Sequence, residues 1–111
     1  MYVKDKIIDH VGILTIQREE ALNALNPDVL NELNSKLVKL ISNHNVDSII
    51  ITGAGEKAFI AGADIKLMQG FDKNQARDFG ELGQNLTLEI ENSPKPVLAA
   101  VNGFALGGGC E

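Results

Sequence analysis

Hydrophobic and polar positions alternate loosely along residues 2–8 and again along residues 11–17. Asp9 and His10 lie between the two stretches, and Gly12 follows near the start of the second. Alternation with a period of two is typical of strands that bury one face. The pattern therefore predicts an N-terminal β-hairpin.

A first helix is predicted from residue 27 to about residue 43. Asn26 is suited to be its N-cap, Pro27 fits the first helical position, and Asp28 places an acid in the first turn. The apolar residues that follow recur at the spacing of one helix face. They are Leu30, Leu33, Leu37, Leu40 and Ile41.

A second helix is predicted over residues 73–91. Asp72 and Gln75 have the spacing of a capping box, in which each side chain bonds to the other residue's backbone. An apolar stripe runs along this segment at Phe79, Leu82, Leu86 and Ile90.

Two apolar runs predict strands in the rest of the chain. Residues 48–52 read Ser-Ile-Ile-Ile-Thr, which is typical of a strand buried on both faces, and Gly53 begins the turn that ends it. Residues 97–101 form the second run and follow two prolines that break the chain. Strands that alternate with helices imply right-handed crossovers and a parallel sheet, so the predicted fold class is α/β.

Composition narrows the class of protein only a little. The 111 residues are 44% hydrophobic and 23% charged, which is typical of one globular domain. A net charge of −5 argues against a nucleic-acid-binding protein, and no apolar stretch has the length of a membrane span. The N-terminus lacks the apolar region of a secretion signal, and the single cysteine excludes an internal disulfide. These features predict a cytoplasmic protein.

Three other features favour structural interpretations. Residues 53–58 (Gly-Ala-Gly-Glu-Lys-Ala) match a loose dinucleotide-binding pattern, but residues 59–62 indicate more loop where that pattern needs a helix, so we expect a plain turn. His10 and His44 have no further ligand at metal-binding spacing, so we expect surface histidines and no metal site. Cys110 lacks a nearby base, so we expect a packed, unreactive thiol rather than a nucleophile.

The strongest candidate for chemistry is the glycine run Gly107 to Gly109, which precedes Glu111. Consecutive glycines are unfavourable in regular elements, but they let a ligand approach bare backbone N–H groups. Residues 59–66 hold small residues around Gly62 and a short helix predicted near Asp64; alone, this segment fits a packing turn with a capping aspartate. If these two segments lie side by side, one N–H from each can converge on one oxygen beyond the ends of parallel strands. This layout predicts an oxyanion site beside an acid or base.

Four stretches of the chain match the motifs of a known family in order and spacing. They are residues 20–26 (EALNALN), 50–53 (IITG), 58–66 (AFIAGADIK) and 95–111 (KPVLAAVNGFALGGGCE). On these motifs the chain resembles the N-terminal part of the crotonase (enoyl-CoA hydratase) superfamily. The resemblance implies a spiral of ββα units with a parallel sheet, binding of acyl-CoA thioesters, and assembly into trimers or pairs of trimers.

The resemblance also implies roles for individual residues. The backbone N–H groups of Ala63 and Gly108 would form the oxyanion hole for the thioester oxygen, and Glu111 would be one of two glutamates that activate water. Coenzyme A would be bound largely through backbone groups, as part of the substrate and not as a separate cofactor. Its expected pocket is lined by Ala21, Leu22, Ala24, Ala61, Gly62, Ala63, Asp64, Ile65, Lys66, Gly107 and Gly108, with Lys66 near the phosphates.

The chemistry agrees with these roles. Adding water to a 2-enoyl thioester places negative charge on the carbonyl oxygen, which two preorganised N–H donors stabilise. Carboxylates in a dry pocket suit the accompanying proton transfers. Since the Gly-Gly-Gly-Cys-Glu ending resembles hydratases, we expect hydration of a short 2-enoyl-CoA such as crotonyl-CoA, in fatty-acid metabolism. An enoyl-CoA isomerase with the same oxyanion hole is the alternative.

The length of the chain adds a further expectation. Residues 1–111 would be the N-terminal portion of one crotonase-like domain, which ends here after the oxyanion-hole glycines. In the family, the second glutamate and the covering C-terminal helices come later, so we expect a truncated copy or one part of a longer protein. Residues 97–101 would then expose a sheet edge and apolar surface. Alternatively, the 111 residues would be a non-catalytic fragment, or a module that folds only by assembling with copies of itself or with intact partners.

Overall fold

The computed structural model describes all residues from Met1 to Glu111. Its strands are β1 (Val3–Ile8), β2 (Val11–Ile16), β3 (Ser48–Gly53), β4 (Ala58–Ile60), β5 (Val97–Ala100) and β6 (Phe104–Ala105). Its α-helices are α1 (Pro27–Ser42), α2 (Ile65–Met68) and α3 (Lys73–Glu91). Single turns of 3-10 helix lie at Glu19–Ala21 and Gly107–Gly109.

The strands form two sheets. The larger has the order β1-β2-β3-β5, in which β1 and β2 are an antiparallel hairpin and the other neighbours are parallel. The smaller sheet pairs β4 with β6 in parallel. After β3, and again after β5, the chain leaves the large sheet and adds a short strand to the small one. The predicted hairpin and parallel α/β sheet are therefore confirmed.

Both long helices begin where their caps predict. The Asn26 side chain accepts a hydrogen bond from the Val29 N–H at 2.8 Å, and Pro27 occupies the first helical position. Asp72 and Gln75 form the complete capping box of α3, whose bounds agree with the prediction. No helix combines the length and the apolar character that crossing a membrane requires.

The core lies on one face of the large sheet. Leu33 and Leu37 of α1 are fully buried, as are Leu14 on β2 and Ile49 on β3. Along β3, buried positions alternate with half-buried ones, so the prediction of a strand buried on both faces is wrong. The reason is that α1 and α3 pack together on one side, and no segment of these 111 residues fully covers the other.

The small sheet was not predicted. Phe59 and Ile60 belong to β4, although the sequence indicated a loop there. A strand of three residues paired with one of two has too few positions to show a period of two. Strand β5 ends one residue earlier than predicted and forms an edge of the large sheet, with Leu98 53% exposed.

Candidate active site

Two loops that follow the small sheet lie side by side. One comprises residues 61–64 after β4, and the other residues 106–109 after β6. The Leu106 N–H donates to the Ile60 carbonyl at 3.1 Å, which joins the loops at their start. Farther along, a Cβ built on Gly107 would lie 3.7 Å from the Gly62 Cα. Strands β4 and β6 thus bring together the two segments that the sequence singled out.

The first loop fixes the direction of the Ala63 N–H. The Leu25 N–H donates to the Gly62 carbonyl at 2.8 Å, and the Asp64 N–H donates to the Leu25 carbonyl at 2.8 Å. A trans peptide is planar, with its C=O and N–H pointing in opposite directions. Because the Gly62 carbonyl points toward Leu25, the Ala63 N–H of the same peptide points away from it. This N–H donates no hydrogen bond in the structure.

The second loop orients the Gly108 N–H by the same principle. The Gly107 carbonyl accepts from the N–H groups of Cys110 at 2.9 Å and Glu111 at 3.1 Å. The N–H of Gly108, in the same peptide, therefore points back toward the start of the 3-10 turn, and it too has no partner. Both N–H groups are therefore available to an acceptor that lies between the two loops.

The conformation of the glycine run explains its sequence. Gly107 has φ of 50°, in the left-handed region that glycine enters without strain. A Cβ on Gly109 would lie only 2.0 Å from the Ile60 carbonyl oxygen, so a side chain cannot fit there without moving the backbone. The run forms one 3-10 turn, although the sequence argued against a regular element. A single short turn orders few glycines, so its entropic cost is small.

Both free N–H donors belong to residues that line one cavity of about 710 Å³. Gly109, Cys110 and Glu111 line the same cavity. Its other walls are mostly apolar and include Leu25, Met68, Phe79, Leu86, Ile90, Val97 and Leu98. The cavity thus combines mostly apolar walls with a few polar groups at the glycine turn, which is typical of a small-molecule site.

The side chains of Glu111 and Cys110 are exposed. The expectation of a packed cysteine is therefore wrong, because the glycine turn lies at the surface and none of these residues covers it. The dry pocket expected around Glu111 is likewise not formed by these 111 residues. Glu111 nevertheless lies within the same cavity wall as Ala63 and Gly108.

The remaining residues expected to bind coenzyme A fall into two groups. Residues 21–25 run beside residues 61–64, and the Ala61 N–H donates to the Leu22 carbonyl at 3.1 Å. Ile65 and Lys66 are exposed on α2. Leu22 lines a separate depression of about 600 Å³ that also contains three carboxylates, those of Glu19, Glu20 and Glu56. The two predicted coenzyme A segments are therefore adjacent, but Leu22 does not face the main cavity.

The sequence analysis did not identify two asparagines that brace the connection between β3 and β4. Asn23 is 1% exposed, and its side-chain amide donates to the carbonyls of Ala54 at 3.1 Å and Ala58 at 3.0 Å. The Asn102 amide donates to the carbonyls of Gly53 and Gly55, each at 2.9 Å. The signal for both was a polar residue within or directly after an apolar segment. They fix the chain that leads from β3 into β4.

Arg18 was also missed, and it forms an ion pair with Asp64. The guanidinium Nη2 lies 2.8 Å from Asp64 Oδ2, while Asp64 Oδ1 accepts from the Leu67 N–H at 3.2 Å and caps α2. The Arg18 hydrogen bond, followed by that from Leu67, holds the pKa of Asp64 below its ordinary value of 3.8. The capping role of Asp64 is therefore confirmed, and its carboxylate is ionised at neutral pH.

The remaining motifs have structural roles or lie at the surface. Residues 54–57 form bends that lead into β4 and not into a helix. The predicted turn is therefore confirmed, and the segment is not a dinucleotide-binding motif. His10 and His44 are exposed, as predicted. No three His, Cys, Asp or Glu side chains cluster in a way that could hold a metal ion.

Comparison with known proteins adds independent findings. The enoyl-CoA hydratase/isomerase family profile matches residues 6–111. The chain is 50% identical over 103 residues to crotonyl-CoA hydratase of Syntrophomonas wolfei, covering 93% of this chain and 40% of that protein. It is 50% identical over 101 residues to short-chain-enoyl-CoA hydratase of Clostridium acetobutylicum, covering 91% of this chain and 39% of that protein. The chain thus spans about 40% of the length of these relatives.

Solved structures give the same result for the fold. Enoyl-CoA hydratase from Bacillus anthracis superposes with a TM-score of 0.94 at 37% identity, over 98% of this chain and 43% of that one. Enoyl-CoA hydratase from Thermoplasma volcanium superposes with a TM-score of 0.93 at 34% identity, over 100% of this chain and 44% of that one. The predicted crotonase fold is confirmed. With this fold, and with the family profile matching from residue 6 to residue 111, the chain belongs to the enoyl-CoA hydratase/isomerase family.

Proposed function

We propose that the whole protein reversibly hydrates short-chain 2-enoyl-CoA to 3-hydroxyacyl-CoA. The observation that carries the proposal is the pair of unpartnered N–H donors, Ala63 and Gly108, on adjacent loops of one largely apolar cavity. A thioester carbonyl oxygen placed between them would accept two hydrogen bonds, and its acyl chain would follow the apolar wall. The names of the two relatives at 50% identity support the choice of short enoyl-CoA substrates.

The two N–H donors act when negative charge develops on the thioester oxygen. The oxygen of water bonds to C3 of the enoyl group, and the electron pair of the double bond moves through C2 onto the thioester oxygen. The N–H groups of Ala63 and Gly108 stabilise that negative oxygen, and loss of one such donor typically lowers kcat by about 100- to 1,000-fold. Glu111 holds the water and takes one of its protons, and the second glutamate, in its protonated form, gives a proton to C2, so that one water is added overall. A second carboxylate, from outside residues 1–111, completes the glutamate pair.

The proposal places coenzyme A along residues 21–24 and 61–66. These two segments already run side by side through backbone hydrogen bonds, and Lys66 is exposed at their end, where it is free to contact phosphates. Gly107 and Gly108 complete the thioester end. Coenzyme A enters and leaves as part of the intact thioester, so it belongs to the substrate and is not a separate cofactor.

The proposed assembly is a trimer or a pair of trimers. The exposed apolar side chains around β5 and β6 support further burial in the whole protein, because isolated chains rarely leave so many apolar residues together in water. They are Leu98, Val101, Phe104 and Leu106. The single cysteine agrees with a reducing compartment such as the cytoplasm.

The test is hydration of crotonyl-CoA by the whole protein, followed by the loss of ultraviolet absorbance of the conjugated thioester. We expect Glu111→Gln to lower kcat by several orders of magnitude while crotonyl-CoA still binds, because the amide keeps the shape but cannot take the proton. The same assay with a 3-enoyl-CoA separates hydration from isomerisation. Rapid double-bond migration without net hydration would contradict the proposal and favour the isomerase. Residues 1–111 alone are expected to show negligible turnover.

A further inference from the structure

Arg18 lies between the end of β2 and the first 3-10 turn, and its side chain is largely buried. Its side chain is only 15% exposed, and its guanidinium makes two separate contacts. Nη1 donates to the Ala24 carbonyl at 3.0 Å, and Nη2 donates to Asp64 Oδ2 at 2.8 Å. Its backbone N–H donates to the buried Asn23 side chain at 2.9 Å, and the guanidinium carbon lies 5.8 Å from the centre of the Tyr2 ring.

The contacts of Arg18 with Ala24 and Asp64 join the two segments that flank the Ala63 N–H. Ala24 directly precedes Leu25, whose N–H and carbonyl bracket Ala63 by bonding to Gly62 and Asp64. Asp64 directly follows Ala63. The Gly62–Ala63 peptide is therefore held at one side by Leu25 and at the next residue by the Arg18 ion pair.

This peptide needs such restraint because of Gly62. Gly62 has φ of 100°, a conformation that glycine adopts without strain, and because it lacks a Cβ its own torsions restrict the peptide little, so the angle of the Ala63 N–H depends on the hydrogen bonds around it. A small rotation about this residue would turn the Ala63 N–H away from the acceptor position. A displacement of about 1 Å at a reacting centre can cost about 100-fold in rate.

The charge of Arg18 has a second consequence. Asp64 carries a carboxylate one residue from the donor that must stabilise a negative oxygen. Without a cation beside it, that carboxylate would raise the energy of the developing oxyanion. Arg18 neutralises it at 2.8 Å through Nη2, and the planar guanidinium bonds to Ala24 through Nη1 at the same time, a geometry that the single nitrogen of lysine does not offer.

We propose that Arg18 is a positioning residue for the reaction: by tying Ala24 to Asp64, it holds the Gly62–Ala63 peptide at the angle at which the Ala63 N–H meets the thioester oxygen. The inference rests on the proposed function, since it concerns the same oxyanion hole. Arg18 itself touches no reacting atom.

The test is Arg18→Gln in the whole protein, with two readouts. We expect kcat for crotonyl-CoA hydration to fall about 10- to 100-fold while KM changes by less than about threefold. We also expect the carbonyl stretch of bound butyryl-CoA, a saturated thioester that cannot be hydrated, to move back toward its frequency in water. The control is Arg77→Gln, which removes the other arginine of the chain, exposed on α3, and is expected to change neither readout.

Two further variants keep the test informative if Arg18→Gln folds poorly. Arg18→Lys retains the charge but not the two nitrogens in one fixed plane, so its kcat should lie between those of wild type and Arg18→Gln. Asp64→Asn retains an oxygen to cap α2 but removes the ion pair. If Arg18 acts through Asp64, adding Arg18→Gln to Asp64→Asn should lower kcat by less than about twofold more.

The outcomes separate the inference from the proposed function. An Arg18→Gln protein that has a lower urea midpoint but unchanged kcat and carbonyl frequency would overturn the positioning role alone. Full additivity in the double variant would also overturn it. A wild-type protein that neither hydrates crotonyl-CoA nor shifts the butyryl-CoA carbonyl would overturn the proposed function and the inference with it.

Discussion

Gly109→Ala tests whether the glycine turn positions the site through close backbone contact. The added Cβ would lie 2.0 Å from the Ile60 carbonyl oxygen and 2.9 Å from its carbon, whereas real Cβ contacts almost never fall below 3.0 Å. The turn or β4 must therefore move by about 1 Å. That carbonyl also accepts the Leu106 N–H, so the movement strains the bond that joins the two loops.

The size of the effect follows from this geometry. Forcing a methyl group into a packed site typically costs about 1–3 kcal/mol, which leaves most proteins folded. A shift of about 1 Å between Gly108 and Ala63 would misplace the oxyanion donors, so we expect kcat to fall about 100-fold. KM should change much less, because contacts with the distant part of coenzyme A remain.

The assay combines initial rates of crotonyl-CoA hydration by the whole protein with urea unfolding. The matched control is Gly70→Ala, where the new Cβ would lie 3.7 Å from the Leu67 carbonyl oxygen, an ordinary contact. We expect the control to keep wild-type kcat. A Gly109→Ala protein with wild-type kcat and wild-type stability would refute the close-contact argument.

Two further predictions concern the residues that brace the site. Asn102→Ala removes the amide that bonds to the carbonyls of Gly53 and Gly55, so urea unfolding should show a loss of about 1–3 kcal/mol, whereas Asn85→Ala on the exposed face of α3 should show none. The pKa of Asp64 is lowered by Arg18, so its ion pair should stabilise the fold fully above pH 3.8 and progressively less as the pH falls through the lowered pKa. The difference in unfolding free energy between wild type and Asp64→Asn should therefore be flat near neutral pH and shrink in acid, and a difference that grows in acid would contradict the assignment.

The long elements could be predicted because each has a strong local signal. Asn26 with Pro27, and Asp72 with Gln75, mark the helix starts by hydrogen bonds within one turn of chain, which sequence spacing records directly. The three isoleucines of β3 and the glycines at 107–109 are equally visible. Two of the β3 isoleucines and the glycine run also belong to the motifs on which the family resemblance rests.

What the sequence did not predict depends on distant partners. Strand β4 forms because it pairs with β6 some 45 residues later. Its three residues are too few to show the alternation that would predict a strand. The bond between Arg18 and Asp64 joins residues 46 apart, and an isolated arginine gives no indication of its partner. The exposure of Cys110 and Glu111 depends on which segments cover the glycine turn, which the local pattern does not encode.

The most direct test of the account removes a single donor without changing any side chain. Replacing Ala63 by lactic acid in the whole protein turns the preceding amide into an ester and deletes the N–H. The same replacement at Ala54, whose N–H bonds to the Ile16 carbonyl at 2.8 Å, controls for the effect of an ester on the backbone. We predict that kcat for crotonyl-CoA falls about 100- to 1,000-fold for the ester at Ala63 and changes little for the ester at Ala54. Equal kcat values for the ester at Ala63 and the unmodified protein would contradict the oxyanion hole on which the proposed function depends.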